Sequence, residues 1–466
     1  MIRRLVLLTC CVLALSGAAQ AQIILGGEPV STAPGASTVA AAFPVDADAP
    51  GYKPLNLAVP TFSGASSAEV DAAKNVSDVI AADLASLGLF TAPAPGAFDS
   101  LSASVDALPA WGDWGGAGVD VLILGKTIIS ESGQLTIQFR VYDVAGRKQI
   151  LGTSFTAPAS TWRRLAHKSA DAILVALVGG KPGLDSRLVY ATAGASKAQL
   201  AFVDADGGNA ETLPASIMRL QSPRAARNSQ TIAYSADAPI PGKTQAQRTT
   251  ILYDLLTGRR DPMTTGAQPN ADARFSPLDG TLIYSRKAGA NTDIYTFTIS
   301  RGKETRLTDD PAADTEPSLS PDGLQFAFVS ARGGSEQIHV ARVDGTPVTC
   351  ADGTQATACP ITQGGDGAMT PVWSPRGDWI AYVRENGDDT AIHIVRPDGS
   401  EARALTNMAG ASDLSPSWSP EGRRIAFARL LGERSQIAII GLDGGEPRKV
   451  ATPGDAFDPD WGPVLP

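Results

Sequence analysis

Two of the chain's three histidines, His339 and His393, stand at matching places in the phrases QIHV and AIHI, which would set two imidazoles side by side in neighbouring repeats. Imidazole is a zinc ligand, but a structural site closes with four ligands and a catalytic one with three plus water. Neither phrase brings the rest, so both are read as polar residues on strands. His167 lies between the cationic Arg164 and Lys168 and is read as a surface residue, not an acid or base. Acyl transfer would call for a nucleophile elbow Gly-x-Ser-x-Gly; the nearest stretch, Gly333-Gly334-Ser335, lacks the second glycine. The glycine-rich turns have no following Lys-Ser or helix start, so they are hairpins and not phosphate cradles. No catalytic residue, no metal and no cofactor is expected.

Cys350 and Cys359 share the stretch CADGTQATAC. In an exported chain such a pair is expected as a disulfide stapling a surface loop. Zinc is the weaker reading, because no His or further Cys lies nearby.

Export is legible at the start. Arg3 and Arg4 precede an apolar run from Leu5 to Leu15 and a small-residue site ending Ala19-Gln20-Ala21, so residues 1–21 read as a secretory signal cleaved after Ala21. The run is too short to span a bilayer and no later stretch is long enough, so no membrane insertion is expected. Removing Arg3 and Arg4 takes the formal charge from −9 to −11, and no basic run remains to track phosphates. Nucleic acid is therefore not an expected partner.

Residues 22–54 are rich in Ala, Pro, Gly and Ser and read as a flexible arm. From 55 to 180 the pattern is that of a small α/β domain. A strand at 56–62 is followed by a helix carrying Val70, Ala73, Val76, Ile80, Leu84 and Leu87 at helical spacing and ending at Gly88. Two strands, 119–125 and 134–144, are joined through SESG, and a second helix runs over 161–178.

Beyond Gly183 the texture becomes repetitive. Ser-Pro phrases before an apolar strand place prolines at 223, 277, 321, 375 and 420, with a degenerate copy, DPDWGPV, at 463. Ser, Pro and Gly suit the first, second and fourth places of a type I turn. Each unit continues with a strand and hairpin, such as QIHVARVDG, and a short fourth run, such as TRLT. Six such units predict a mainly β chain: a six-bladed β-propeller of four-stranded blades over 185–466, preceded by the α/β domain. The first unit begins at its second strand, RLVYAT, so DPDWGPV must supply the missing one and close the ring.

Loops from each outermost strand to the next innermost strand converge on one mouth of such a ring, and here they are acidic and polar. Asp272, Asp314, Thr315, Glu316, Thr370, Asp413 and Asp458 are the candidate partner-binding residues. The insertion from Pro239 to Arg248 would project on the same face and the Cys350 to Cys359 loop on the other. A hard cation such as calcium in the channel is a weaker alternative.

The chain from Leu55 onward resembles the TolB family of the Tol-Pal system. The resemblance rests on the strand at Ala58 to Phe62, on Asp83, Leu84, Gly88 and Phe90, on the stretch VLILGK followed by GQLTIQFRVYDV, on Arg163, Arg164, Ala166, His167 and Lys168, and on the six repeats. It implies a monomeric, non-enzymatic periplasmic adaptor. Such an adaptor binds the peptidoglycan-associated lipoprotein Pal through the propeller and TolA through the extreme N-terminus, here Gln22, Ile23 and Ile24, and supports outer-membrane integrity and constriction during division. The arm is longer and more Ala/Pro-rich than that family's usual N-terminus. The alternatives are an exported propeller hydrolase and a glycan-binding propeller. The second would want exposed aromatics, whereas Trp373, Trp418 and Trp461 lie in matched register beside the repeat phrases, as core residues would.

Overall fold

A computed structural model of the chain describes residues 22–25, 28–30, 42–43, 52–192, 198–217, 220–238, 246–263, 269–278, 280–364 and 366–464. The expected leader and its cleavage site, most of the arm, and residues 239–245 of the insertion lie outside the described residues. The chain divides into two compact units, the first made mainly of Leu55–Ala82 and Thr91–Leu177, the second mainly of Val178–Pro466.

In the first unit a sheet runs in the order Glu28–Val30, Gln22–Leu25, Lys148–Pro158, Gln134–Asp143, Val121–Ile129, Leu55–Ala58 and Phe90–Thr91. Leu55–Ala58 and Val121–Ile129 pair in parallel through Leu57↔Val121 and Ala58↔Leu122. Helices α1 (Ser67–Ala85), α2 (Trp111–Gly116) and α3 (Trp162–Val178) accompany it.

Helix α1 starts with a capping box: the Glu69 N–H donates to Ser66 Oγ, and Glu69 Oε2 accepts the N–H groups of Ala65 and Ser66. Its other oxygen accepts the Ile129 N–H at 2.8 Å, so one buried carboxylate both starts the helix and ties it to the sheet. These bonds, the one from Ile129 first, hold the Glu69 carboxyl below its ordinary range. Gly125 is required in the same strand, because a Cβ there would come within 2.6 Å of Phe62 ring atoms.

The structure departs from the sequence reading in two places here. Lys148–Pro158 and α2 are additional elements; the strand is half exposed and lacks clean alternation, which hides it from periodicity. The arm is not wholly without structure, since Gln22–Leu25 pairs with Glu28–Val30 and also with Lys148–Pro158, through Gln22↔Ser154 and Ile23↔Thr153. An open sheet edge presents unpaired N–H and C=O groups to any extended chain, and Ile23 and Ile24 are β-branched.

The second unit is the six-bladed propeller, its blades four-stranded antiparallel sheets. Numbered by second strand, blade 1 begins at Ser186–Thr192, blade 2 at Thr231–Ala238, blade 3 at Thr281–Ala288, blade 4 at Gln325–Ser330, blade 5 at Ile380–Asn386 and blade 6 at Arg424–Leu431. The innermost strand of blade 1 is Ala456–Val464, registered as Ala456↔Thr192 and Trp461↔Leu188, so the C-terminus closes the ring. Inner strands of blades 2 to 6 are Gln221–Ala225, Asn270–Phe275, Asp314–Leu319, Ala368–Trp373 and Ser412–Trp418. Between blades lies apolar core, for example Trp379, Ile392 and Leu405 of blade 5 with Trp418, Phe427 and Ile440 of blade 6.

Inner and second strands are joined by the Ser-Pro turns. Gly323, Gly377 and Gly422 N–H groups donate to the carbonyls of Ser320, Ser374 and Ser419 at 2.8 to 2.9 Å. In blade 2 the turn is displaced from the Ser222-Pro223 phrase read for it. Ser229 N–H donates to the Ala226 carbonyl and Ala226 N–H to that of Thr231, as Ser276 N–H does to Thr281. Pro223 lies inside the inner strand.

Candidate functional site

Each inner strand carries a bulge at the same place. The ladder skips between Gln221 and Arg224, Ala271 and Arg274, Thr315 and Ser318, Met369 and Val372, Leu414 and Ser417, and Phe457 and Asp460. Within every skip sits a non-glycine residue with left-handed backbone: Ser222, Asp272, Glu316, Thr370, Ser415 and Asp458, with φ between 48° and 56°. Such conformations are costly for residues with a Cβ and persist only where surroundings enforce them. Here one per blade, all polar and all half-buried, makes a ring around the axis.

Hydrogen bonds stitch the ring from blade to blade in two arcs. In the first, Glu316 N–H of blade 4 donates to Ser285 Oγ of blade 3, whose hydroxyl donates to Asp272 Oδ2; Glu316 Oε2 then accepts the Thr370 N–H of blade 5 at 2.6 Å. In the second, Asp458 of blade 1 accepts the Ser222 N–H of blade 2 at 3.0 Å and the Ser415 hydroxyl of blade 6 at 2.7 Å. Thr370 Oγ1 is buried and makes no hydrogen bond among the described residues.

Burial pushes the Glu316 carboxyl up to about 7; Asp272 adds to the rise, the Thr370 N–H opposes it, and Arg274 lowers it in turn. The arrangement places three carboxylates, three hydroxyls and constrained backbone at one mouth.

Of the residues singled out in the sequence, Asp272, Glu316, Thr370 and Asp458 fall on this ring. They belong to strands and not to the loops expected for them, because each inner strand starts earlier than its acidic composition suggests. Asp314 and Asp413 sit two residues before the ring position and are turned into the blades. Asp314 is fully buried with Arg332 Nη2 2.9 Å from both its oxygens, and Asp413 accepts a two-pronged bond from Arg429 at 2.7 and 2.8 Å. In a regular strand residues two apart face the same side; the bulge between them breaks that rule. Thr315 is half-buried and pairs with Val329 just before the skip.

Ser222 and Ser415 belong to the ring and were missed. Their signal was present: the left-handed residue precedes proline at Pro223, Pro317, Pro371, Pro416 and Pro459, with Ala273 the exception.

The other candidates are placed as follows. His339 is buried against Phe328, its Nδ1 3.1 Å from the Gln337 carbonyl oxygen, and His393 packs on Tyr382. Burial lowers both imidazoles, His393 to about 4, so they are neutral blade residues at neutral pH. His167 is buried in α3, against the surface position read for it, because flanking cations do not say which helix face a residue takes. Trp373, Trp418 and Trp461 are buried, with indole N–H groups donating to Gly377 O, Val372 O and Ser186 Oγ. Cys350 and Cys359 form a disulfide, Cα to Cα 5.2 Å, that ties the connection after the third strand of blade 4 to its fourth strand, Ala358–Pro360. Gln22, Ile23 and Ile24 lie in the strand Gln22–Leu25, between Glu28–Val30 and Lys148–Pro158 in the sheet of the first unit.

Known proteins align with both units. Residues 44–150 match the family described as TolB amino-terminal domain, and residues 175–465 that described as TolB beta propeller domain. Tol-Pal system protein TolB of Gluconobacter oxydans is 30% identical over 358 residues, covering 76% of this chain and 73% of that protein. The namesake from Dinoroseobacter shibae is 36% identical over 270 residues, 56% of this chain, and the match spans only 59% of that relative's length. The crystal structure of TolB from Acinetobacter baumannii superposes with a TM-score of 0.73 at 25% identity, covering 88% of this chain and 97% of that one. With an amino-terminal domain and a propeller that both match in order, the chain belongs to the TolB family of Tol-Pal system proteins.

Proposed function

We propose that this protein is a non-enzymatic periplasmic adaptor whose bulged mouth receives the peptidoglycan-associated lipoprotein Pal and whose N-terminal segment receives TolA, and which thereby supports outer-membrane integrity and constriction at division. The observation that carries the first half is the six-residue ring. Strained, cross-stitched backbone with half-exposed polar side chains is a rigid, pre-organised surface, and rigidity lowers the ordering cost of association. Asp272, Glu316, Thr370 and Asp458 are the contacts assigned to Pal. Asp314 and Asp413 act beneath them by anchoring their strands.

The second half rests on Gln22–Leu25. A segment that pairs with the free edge of Lys148–Pro158 can exchange that edge for one in a partner, since both offer the same backbone bonds. Such coupling requires the segment's affinity for its own sheet to change with what the mouth holds.

The test is affinity capture from envelope extract with the chain from Gln22 as bait and mass spectrometry as readout. Recovery of Pal, lost with Glu316→Lys in a chain still folded by circular dichroism, supports the mouth assignment. Pal captured equally by the variant refutes it. Removal of residues 22–33 is expected to abolish TolA recovery while sparing Pal.

A further inference from the structure

At the end of the channel opposite the ring, where the Ser-Pro turns lie, the inner strands enclose a cavity of about 650 Å³. Its wall holds four cations, Lys181, Arg224, Arg227 and Arg274, against a single carboxylate, Asp460. That carboxylate is already engaged, accepting the Ala225 N–H at 2.8 Å and the Ser417 hydroxyl at 3.2 Å. Arg224, itself 8% exposed, stands 3.9 Å from Asp460 through Nε, and its Nη1 donates to the Pro223 carbonyl. Lys181 and Arg227 donate to the carbonyls of Pro375 and Pro277, which satisfy hydrogens without neutralising charge. Arg274 makes no ion pair and no hydrogen bond among the described residues.

We propose that this cavity is a binding site for a small oxyanion, a phosphate or carboxylate, held between the guanidinium groups of Arg224 and Arg274. Two guanidiniums enclosed together repel unless an anion lies between them, and their planar forks match oxyanion geometry. Asp460 from the cavity wall, then Glu316 and Asp272 from the ring side, favour the charge of Arg274, yet burial and Arg224 outweigh them and bring Arg274 down to about 9. The wall carries more positive than negative groups, with Asp460 its one carboxylate. Nothing in this inference depends on the Pal-binding mouth, which lies at the other end.

The experiment is calorimetry on the chain from Gln22 at low ionic strength, with sodium phosphate and sodium succinate as separate probes, and thermal unfolding alongside. One saturable site for either probe is expected, phosphate alone indicating a phosphate site and succinate alone a carboxylate site. Arg274→Gln should weaken binding about tenfold or more, the scale of a lost charge-assisted bond, and Arg224→Gln should do the same. The exposed Lys303→Gln should change nothing. With no probe present, Arg274→Gln should melt no lower than wild type, because it removes an uncompensated buried charge. Absence of binding to both probes, binding that survives Arg274→Gln, or a lower melting temperature with binding unchanged would each overturn the proposal, the last by showing a structural role.

Discussion

The carboxylate of Glu316 in blade 4 accepts the backbone N–H of Thr370 in blade 5 at 2.6 Å, and both residues hold left-handed backbone at the same place in their strands. Ring geometry and blade-to-blade bonding are thus one feature. The residue that departs from regular strand conformation is the one that reaches the next blade.

That position makes Glu316 a source of pH dependence. The folded chain keeps its proton up to about pH 7, while an unfolded glutamate releases it near its ordinary value of 4.5. Between those values the folded form binds more protons, so stability falls as pH rises through the window, by at most about 3.5 kcal/mol. Glu316→Gln keeps an oxygen for the Thr370 N–H and loses the titration. Urea unfolding at pH 5 and pH 8 should show the variant more stable than wild type at pH 8 and less sensitive to pH. Parallel profiles would mean that Glu316 titrates normally.

Asp413 and Arg429 should respond differently from the ring. Removing one partner of a buried, two-pronged ion pair strands the other charge, at a cost of about 3–5 kcal/mol. Asp413→Ala is expected to lower the unfolding free energy measured in urea by that amount. Replacing both residues with apolar ones of similar volume should recover much of the loss, which a contact made only with a partner protein would not do.

Ring closure rests on Trp461, whose indole donates to Ser186 Oγ and whose backbone N–H donates to Ser417 Oγ, both at 2.8 Å. Trp461→Ala removes a buried aromatic from the closing strand and should cost about 3–5 kcal/mol. Loss of the cooperative thermal transition is expected if the terminal strand from Ala456 is deleted altogether. A cooperative melt in that truncation would show that blade 1 closes without it.

The disulfide should matter little by comparison. Its loop is short, so losing the Cys350–Cys359 link costs no more than about 3 kcal/mol on the chain-entropy account. Serine at both positions should lower the melting temperature modestly and leave Pal binding unchanged, since the loop emerges at the turn end of blade 4 and not at the ring.

The blade plan was legible because each strand phrase and each turn has its own local cause. The closing strand followed from the missing first strand of RLVYAT. What escaped were consequences of the bulge. Proline occurs both in the turns and after the left-handed residue, so Ser222-Pro223 passed for a turn when it marks the ring. Asp314 and Glu316 read as residues of one acidic loop, and only the skipped pairing between Thr315 and Ser318 separates their surroundings. Arg274 drew no notice at all, because a lone arginine in a strand phrase reveals its charge environment only once six strands converge. The pairing of Gln22–Leu25 with Lys148–Pro158 joins segments over a hundred residues apart, and composition is silent on such contacts.

The most direct test of the account is calorimetric titration of purified Pal into the chain from Gln22 at pH 8, where Glu316 is ionised, comparing wild type with the paired substitution Asp272→Asn and Glu316→Gln. The account predicts one-to-one binding that weakens about tenfold or more in the paired variant, in line with the loss of close charge contacts at an interface, with its fold retained. Equal affinity in the two proteins would contradict the assignment of Pal to the ring.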